Sequence, residues 1–421
     1  MEYNTIFFGD VAKIKNGYAF KSKEFQEKGI PVIKIKNIIS PIVDTKDSQK
    51  VSIKTYEKTK GFSLKKNDIL ISLTGSGVNQ MSSAVGKVGR IEFDYPALQN
   101  QRVGKFELKY SNSADLDFLF YYFLQPKITE YLVRNSTGSA NQSNINSKLI
   151  ETVKIPNFSL IKQKSISKFL NQITRKIETN QKMIANLEEL SQTLFKRWFI
   201  DFEFPDRNGA PYKSSGGEMI DSELGEIPKN WSIKTVKETA ESFNSIRKPL
   251  SKLEREKRES IYPYYGATKI IDYVDNYIFD GKYILVGEDG TVQTEAGNPF
   301  IQYVWGKFWV SNHAHILKGK LISDELLMLY LKNTNVAPYI TGAVQPKLNK
   351  KNLNSIKFVI ADKETIIKFE NFIKSYFQKI RILNKENKKL IELRDTLLPK
   401  LMSGELEIPD DIEVNSDELS I

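Results

Sequence analysis

The chain has no cysteine and only two histidines, so disulfides and cysteine-based zinc sites are excluded. It holds no apolar run of about eighteen residues or more, the ordinary signal of a membrane-spanning helix. The opening MEYNTIFFGD lacks the basic-then-apolar layout of a signal peptide, and a cytoplasmic protein is expected. Acidic residues are outnumbered by basic ones, except at one end. The 62 Lys and Arg outweigh 51 Asp and Glu for a net +11. Residues 405–421 nevertheless hold seven acids and no base, so the remaining body carries +18. A body so basic attracts polyanions through its summed field. Lysine that is abundant for compositional reasons alone is the plain alternative. With 421 residues and 40% apolar content, the chain exceeds one ordinary core, and two or three domains are expected.

A repeat runs through the chain. The stretch TGSANQSNIN (137–146) returns as TGAVQPKLN (341–349), each time before a long helical pattern. With Gln142 set on Gln345, Ile145 meets Leu348, Asn146 meets Asn349, Ile150 meets Leu353 and Val153 meets Ile356. The offset of 203 then continues without a gap, through Phe169/Phe372 and Ile177/Ile380 to Leu194/Leu397. Upstream only DFLFYYFL (117–124) still resembles ELLMLYLK (325–332). Strand-like runs occur in both halves: VIKIKNI, DILISL and VGRIEF in the first, YILVGE and FIQYVWGKFWV in the second. A Gly-, Pro- and Ser-rich segment between the halves reads as a flexible linker.

Both helical patterns carry heptads. The a positions of the first are Ile166, Ile173, Asn180, Leu187 and Leu194; its d positions are Leu170, Ile177, Ile184, Ser191 and Trp198. The second has Phe369, Tyr376, Leu383, Leu390 and Leu397 at a, and Ile373, Ile380, Asn387, Arg394 and Leu401 at d. Ser159 and Asp362 are the expected N-caps, because a side-chain oxygen there accepts an orphan backbone N–H. Pro399 is expected to end or kink the second helix before Leu401. Forty residues make a rod of roughly 60 Å, and two rods with matching seams can pair antiparallel. Asn180 then faces Asn387 and Ile184 faces Leu383, with the polar pair fixing register. The alternative is that each helix packs only on its own domain. A symmetric pair with one variable domain at each end matches a ligand with two spaced sites, which duplex DNA supplies.

The repeated helices KSISKFLNQITRKIETNQKMIANLEELSQTLFKRWFIDFEFP and KFENFIKSYFQKIRILNKENKKLIELRDTLLPKLMSGEL carry a family resemblance, as does the junction GAPYKSSGGEMIDSELGEIPKNW. Over nearly the whole chain the sequence resembles the specificity (S) subunit of type I restriction-modification systems. The resemblance implies an α+β fold: two mixed α/β target-recognition domains separated by two long antiparallel coiled-coil-like helices, in a pseudo-two-fold symmetric tandem repeat. Expected boundaries are recognition domain 1 at 1–157, spacer helix 1 at 158–202, a linker at 203–230, recognition domain 2 at 231–360, spacer helix 2 at 361–404 and the acidic tail at 405–421. It further implies a subunit without catalysis or cofactor. Each domain would read one half of a bipartite, asymmetric double-stranded DNA target. The helices would dock two methylation subunits, through which restriction subunits join. One departure is that the chain opens almost directly on a recognition domain, at FFGDVAKIKNG, without a helical N-terminal extension.

The residues themselves offer little catalytic chemistry. The nearest stretch to an adenine methyltransferase's Asn/Asp-Pro-Pro-aromatic loop is GNPF (297–300), with one proline. SSAVGKV (82–88) imitates a phosphate loop, but Met81 and Val88 stand where it needs Gly and Ser/Thr. HAH (313–315) has no other His or Cys to complete a metal site, and one buried His on a strand is the expected reading. A self-contained methyltransferase or restriction enzyme with degenerate motifs is the alternative function, and a scaffold without nucleic acid a third. For DNA contact, polar and basic loop residues are the candidates. The first half supplies Ser76, Asn79, Gln80, Lys87, Gln101 and Arg102; the second supplies Tyr265, Thr268, Lys269, Gln293, Asn312 and His313. The repeated loop is expected to act first as hinge and anchor, with phosphate contact through Ser139, Ser143 or Lys347 as a secondary role and no part in base specificity.

Overall fold

The structure is a computed structural model that describes residues 4–77, 85–139, 142–342 and 344–408. The chain divides into two compact units, residues 1–179 with 386–421 and residues 180–385. Both are mixed α/β. The first long helix spans Leu160–Phe195 and continues as a π-helical turn, Lys196–Ile200; the second spans Lys363–Ser403.

In the first unit a six-stranded sheet runs, in spatial order, Ala12–Asn16, Val103–Leu108, Ile69–Ser72, Val88–Arg90, Ile42–Val43 and Ile38–Ile39. Ala12–Asn16 shows why: Ala12 and Ile14 turn inward, while Lys13 and Lys15 face out and pair with Glu107 on the neighbouring strand. A five-stranded sheet joins Phe25–Gln26, Gln49–Val51, Ile30–Ile33, Ala97–Gln99 and Ser63–Leu64. The strand-like run VIKIKNI is thus only partly strand, because residues 35–37 form a 3-10 turn in which Asn37 is buried. The core of this unit gathers Phe8, Phe106, Phe118 and Phe123 with Ile166 and Leu170 of the first long helix and Leu398, Leu401 and Met402 of the second. Lys162 pairs with Glu407 at 2.7 Å and Lys176 with Glu386 at 3.6 Å, so the two helical segments here run antiparallel.

The second unit has two four-stranded sheets. One orders Ala240–Ser242, Ala314–Gly319, Tyr283–Gly287 and Ile301–Val304; the other orders Ile270–Val274, Tyr262–Tyr265, Lys307–Val310 and Phe279–Asp280. The run FIQYVWGKFWV therefore supplies a strand to each sheet, broken at Gly306, whose φ of +82° suits glycine. The segment read as a flexible linker is folded. Phe204 stacks between Tyr212 (4.5 Å) and Trp231 (4.8 Å), and Met219–Ile220 pairs with Ile227–Pro228. Its aromatic residues pack together in spite of its Gly and Pro content.

The heptad seam is present in both helices: none of the twenty a and d positions is exposed. Asn180 and Asn387 are 2% and 7% exposed, Leu383 is buried and Ile184 half-buried. The caps are also in place. Ser159 Oγ accepts the N–H of Lys162 (3.3 Å), and Asp362 Oδ1 that of Thr365 (3.0 Å). Pro399 does not end the second helix, which continues to Ser403. Burial of Leu398, Leu401 and Met402 offsets the hydrogen bond that proline cannot make.

The repeat reaches further upstream than the sequence shows. Phe8 donates its N–H to Val153, and Val236 likewise to Ile356. The preceding residue of each pair, Phe7 or Thr235, donates to the side chain of Asp10 or Glu238 at 2.8 Å. The same start is therefore built twice from dissimilar residues.

Candidate nucleic-acid interface

The repeated loop is constructed in the same way in both units. Gly138 and Gly342 have φ of +118° and +89°, and a Cβ on either would lie 2.3 or 2.4 Å from the carbonyl oxygen of Gln142 or Gln345. Only glycine fits such a turn without strain. Thr137 Oγ1 then donates to the Asn144 carbonyl, and Thr341 Oγ1 to that of Lys347, both at 3.3 Å. The next residue, Ile145 or Leu348, donates its N–H to the carbonyl of Leu73 (3.0 Å) or Glu288 (2.9 Å). Asn146 and Asn349 cap the short helices that follow, Ser147–Glu151 and Lys350–Ser355. The loop is thereby pinned to the polar loop at the end of a central strand in each unit.

In the first unit that polar loop contains Ser76. Ser76 is half-buried and its carbonyl accepts the Val85 N–H. Asn79 and Gln80 lie outside the described residues. Lys87 is half-buried, with its N–H bonded to Ser72 Oγ at 3.0 Å. Gln101 and Arg102 are exposed on the turn before Val103–Leu108. That turn is held firmly: the Gln101 N–H bonds the Tyr18 carbonyl, and the Arg102 carbonyl accepts the Leu73 N–H. Its neighbour Gln99 is buried, its amide donating to the carbonyls of Lys15 (2.7 Å) and Val103 (2.8 Å). Gln99 thus shapes the turn and reads nothing. Ser143 is 5% exposed on the strand paired with Thr74–Gly75, which removes it as a phosphate contact. The side chain of Ser139 is outside what is described.

In the second unit three polar loops converge. The Ser311 N–H bonds the Tyr265 carbonyl, and the Glu288 N–H bonds that of His313. His313 Nδ1 lies 2.7 Å from Asp289 Oδ1. Tyr265, Asn312 and His313 therefore belong to one corner. Thr268, half-buried, and Lys269, exposed, follow on a turn closed by the Gly266 N–H to the Lys269 carbonyl. Gln302 steadies this turn by donating to the carbonyls of Gly266 and Ala267. Tyr265 is half-buried against Phe308, and burial, with nearby Tyr273, pushes its hydroxyl pKa up. Gln293 is exposed and bridged to Pro299; among the described residues no contact ties it to this corner.

Beneath the corner lies an ionic cluster that the sequence did not reveal. Glu288 accepts from Arg247 at 2.8 Å and pairs with Lys347 at 3.4 Å. Arg247 also donates to the carbonyls of Asn312 and Ala314. Burial raises the pKa of Glu288, but the Arg247 hydrogen bond and the surrounding positive charges outweigh it, and the net shift is downward. Lys347, assigned above to phosphate, is thus engaged with Glu288. His315 is fully buried; its Nε2–H donates to the Leu348 carbonyl (2.6 Å), and its Nδ1 accepts from Asn244 (2.7 Å). Burial lowers its pKa, so both ring nitrogens serve the neutral form as internal bonds. Asn298, in the GNPF stretch, donates to the Thr334 carbonyl. Among the described residues no group of His, Asp and Glu could hold a metal ion.

The exposed groups that remain at these turns, Gln101, Arg102, Lys269, Asn312 and His313, are amide, cationic and imidazole side chains, different in the two units. This suits recognition of phosphates and base edges. The family model described as type I restriction modification DNA specificity domain matches residues 1–189 and 228–392. A putative type I restriction enzyme specificity subunit of Haemophilus influenzae, S.HindORF215P, is 38% identical over 30% of this chain and 32% of its own length. The putative MjaX specificity subunit of Methanocaldococcus jannaschii is 24% identical over 94% of this chain and 91% of its own. The crystal structure of a type I restriction-modification S subunit from M. genitalium superposes with a TM-score of 0.58 at 19% identity, covering 96% of both chains, which shows a shared fold. No helix among the described residues is long and apolar enough to cross a membrane. Both halves of the chain match the one family model, and the chain belongs to the type I restriction-modification DNA specificity family.

Proposed function

We propose that this chain gives a type I restriction-modification complex its DNA specificity, working in the cytoplasm and carrying out no chemistry itself. Residues 1–157 and 231–360 are its two target-recognition domains, and each reads one half of a bipartite, asymmetric duplex target. Residues 158–202 and 361–404 are the spacer helices that dock two methylation subunits, and restriction subunits join through these. In this reading Asn180 stands opposite Asn387, and Ile184 opposite Leu383, as the register of the helix pair.

The observation that supports it is the doubled joint. The Thr-Gly loop, the Asn-capped short helix and the long helix recur, while the exposed residues beside them differ: Gln101 and Arg102 in one unit, Lys269, Asn312 and His313 in the other. A shared frame with different exposed donors suits two half-sites of different sequence. The test is methylome sequencing of a host carrying this chain with its methylation subunit. The expected result is one bipartite motif with unlike halves. A continuous or palindromic motif, or methylation by the chain alone, overturns the reading.

A further inference from the structure

The helix Leu116–Phe123 of the first unit and the helix Asp324–Lys332 of the second are each fastened to a long helix, at different positions along it and with different chemistry. Each begins at a capping residue, Asp115 or Ser323. The N–H of that residue donates to a side chain of the long helix: Asp115 to Gln163 Oε1 (2.9 Å), Ser323 to Glu370 Oε1 (2.6 Å). Two residues on stands an acid, Asp117 or Glu325.

In the first unit Asp117 accepts from Asn171 Nδ2 of the long helix at 2.7 Å and pairs with Arg90 at 3.2 Å. Arg90 in turn donates to Asn171 Oδ1 and lies over the Phe120 ring at 4.4 Å. The Tyr121 hydroxyl adds bonds to Asn171 and Thr174. Arg90 ends the Val88–Arg90 strand, so the network runs from sheet to helix. In the second unit Glu325 accepts from Arg381 of the long helix (3.0 Å), from Tyr303 (2.6 Å) and from Lys282 (2.8 Å). Tyr303 lies on the Ile301–Val304 strand, so this network also joins sheet to helix. Glu325 is 8% exposed, so its bonds are shielded from salt. Burial drives the Tyr303 hydroxyl pKa well up, and Glu325 drives it further, which keeps it a donor.

Hydrophobic contact lets a sheet slide and tilt on a helix, whereas hydrogen-bonded charge fixes direction. We propose that Asp117 with Asn171, and Glu325 with Arg381, are positioning residues that set the angle of each recognition unit on its helix and hence the gap between half-sites that the protein accepts. This rests on the function proposed above. One extra base pair moves a half-site by about 3.4 Å, while a misplacement of about 1 Å can already cost about 100-fold in rate. A loosened clasp therefore appears first as tolerance of the wrong gap.

The experiment uses the full chain assembled with its methylation subunits. Methylation is measured on duplexes with the native gap, with one base pair inserted or removed, and with single mismatches in either half-site. The variants are Arg381→Ala, Asn171→Ala and the conservative Arg381→Lys. The expected result for each alanine variant is loss of about tenfold of the preference for the native gap, with mismatch rejection retained and Arg381→Lys restoring most of the preference. A purely structural role would lower all rates together. If Arg381→Ala does not fold, Asn171→Ala and Arg381→Lys carry the test. Unchanged gap preference, or gap and mismatch preference lost in parallel, overturns the clasp. A wild-type motif that is not bipartite overturns the proposed function instead, so the two failures are distinguishable.

Discussion

Glu288→Ala tests the ionic cluster beneath the corner formed by Tyr265, Asn312 and His313. The carboxylate is 13% exposed and its partner Arg247 16%, so removing it leaves a nearly buried guanidinium without a counter-charge. Breaking a buried pair from one side costs about 3–5 kcal/mol. Arg247 keeps its bonds to the carbonyls of Asn244, Asn312 and Ala314, which puts the expected loss at about 3 kcal/mol. Lys347 is 48% exposed and adds little. For a unit of this size each kcal/mol lowers Tm by about 2–4 °C, so a drop of about 6–12 °C is expected. The assay is specific, because all four tryptophans, Trp198, Trp231, Trp305 and Trp309, belong to the second unit, and intrinsic fluorescence reports its unfolding alone. A double cycle with Arg247→Ala isolates the coupling. A shift of less than about 2 °C, or additive single and double variants, refutes the reasoning.

The same cluster has a pH signature. The folded pKa of Glu288 lies below its ordinary value, so its contribution is fully present above about pH 4.5 and is lost as pH falls through the lower folded value. Fluorescence-monitored stability should fall in that acid window, and Glu288→Gln should flatten the slope there. Gly138→Ala and Gly342→Ala should each cost about 1–3 kcal/mol through the left-handed turn; fluorescence detects the second, whereas the first requires circular dichroism, since its unit has no tryptophan. Lys269→Ala should leave Tm unchanged and reduce the salt slope of DNA binding by about 0.9, and a loss of stability instead would make Lys269 structural. Because the chain has no cysteine, Asn180→Cys with Asn387→Cys provides a clean crosslink for the helix register, and failure to form it under oxidation rejects that pairing.

Legibility followed the range of the interactions. The heptads and the caps at Ser159 and Asp362 rest on residues within a few turns of one another, and both appear in the structure. The upstream repeat escaped notice because the offset between matched positions drifts, from 203 at Val153/Ile356 to 228 at Phe8/Val236. Insertions of that kind erase residue matches while leaving strand pairing intact. Ser143 was misread for a related reason: the strand that covers it, Thr74–Gly75, lies far away in the chain.

The sequence by itself determined the tandem plan, the two helical seams and the family, because periodicity and repetition are patterns along the chain that need no tertiary partner to be read. Only the tertiary structure decided which polar residues are free to meet a ligand and which are consumed in holding the loops. Gln99, Arg247, His315 and Glu325 look like binding residues when read singly, yet each is committed to carbonyls or counter-charges from distant segments. The physical reason is that a buried polar group must be paired, and its partner is chosen by the fold and not by its neighbours in sequence.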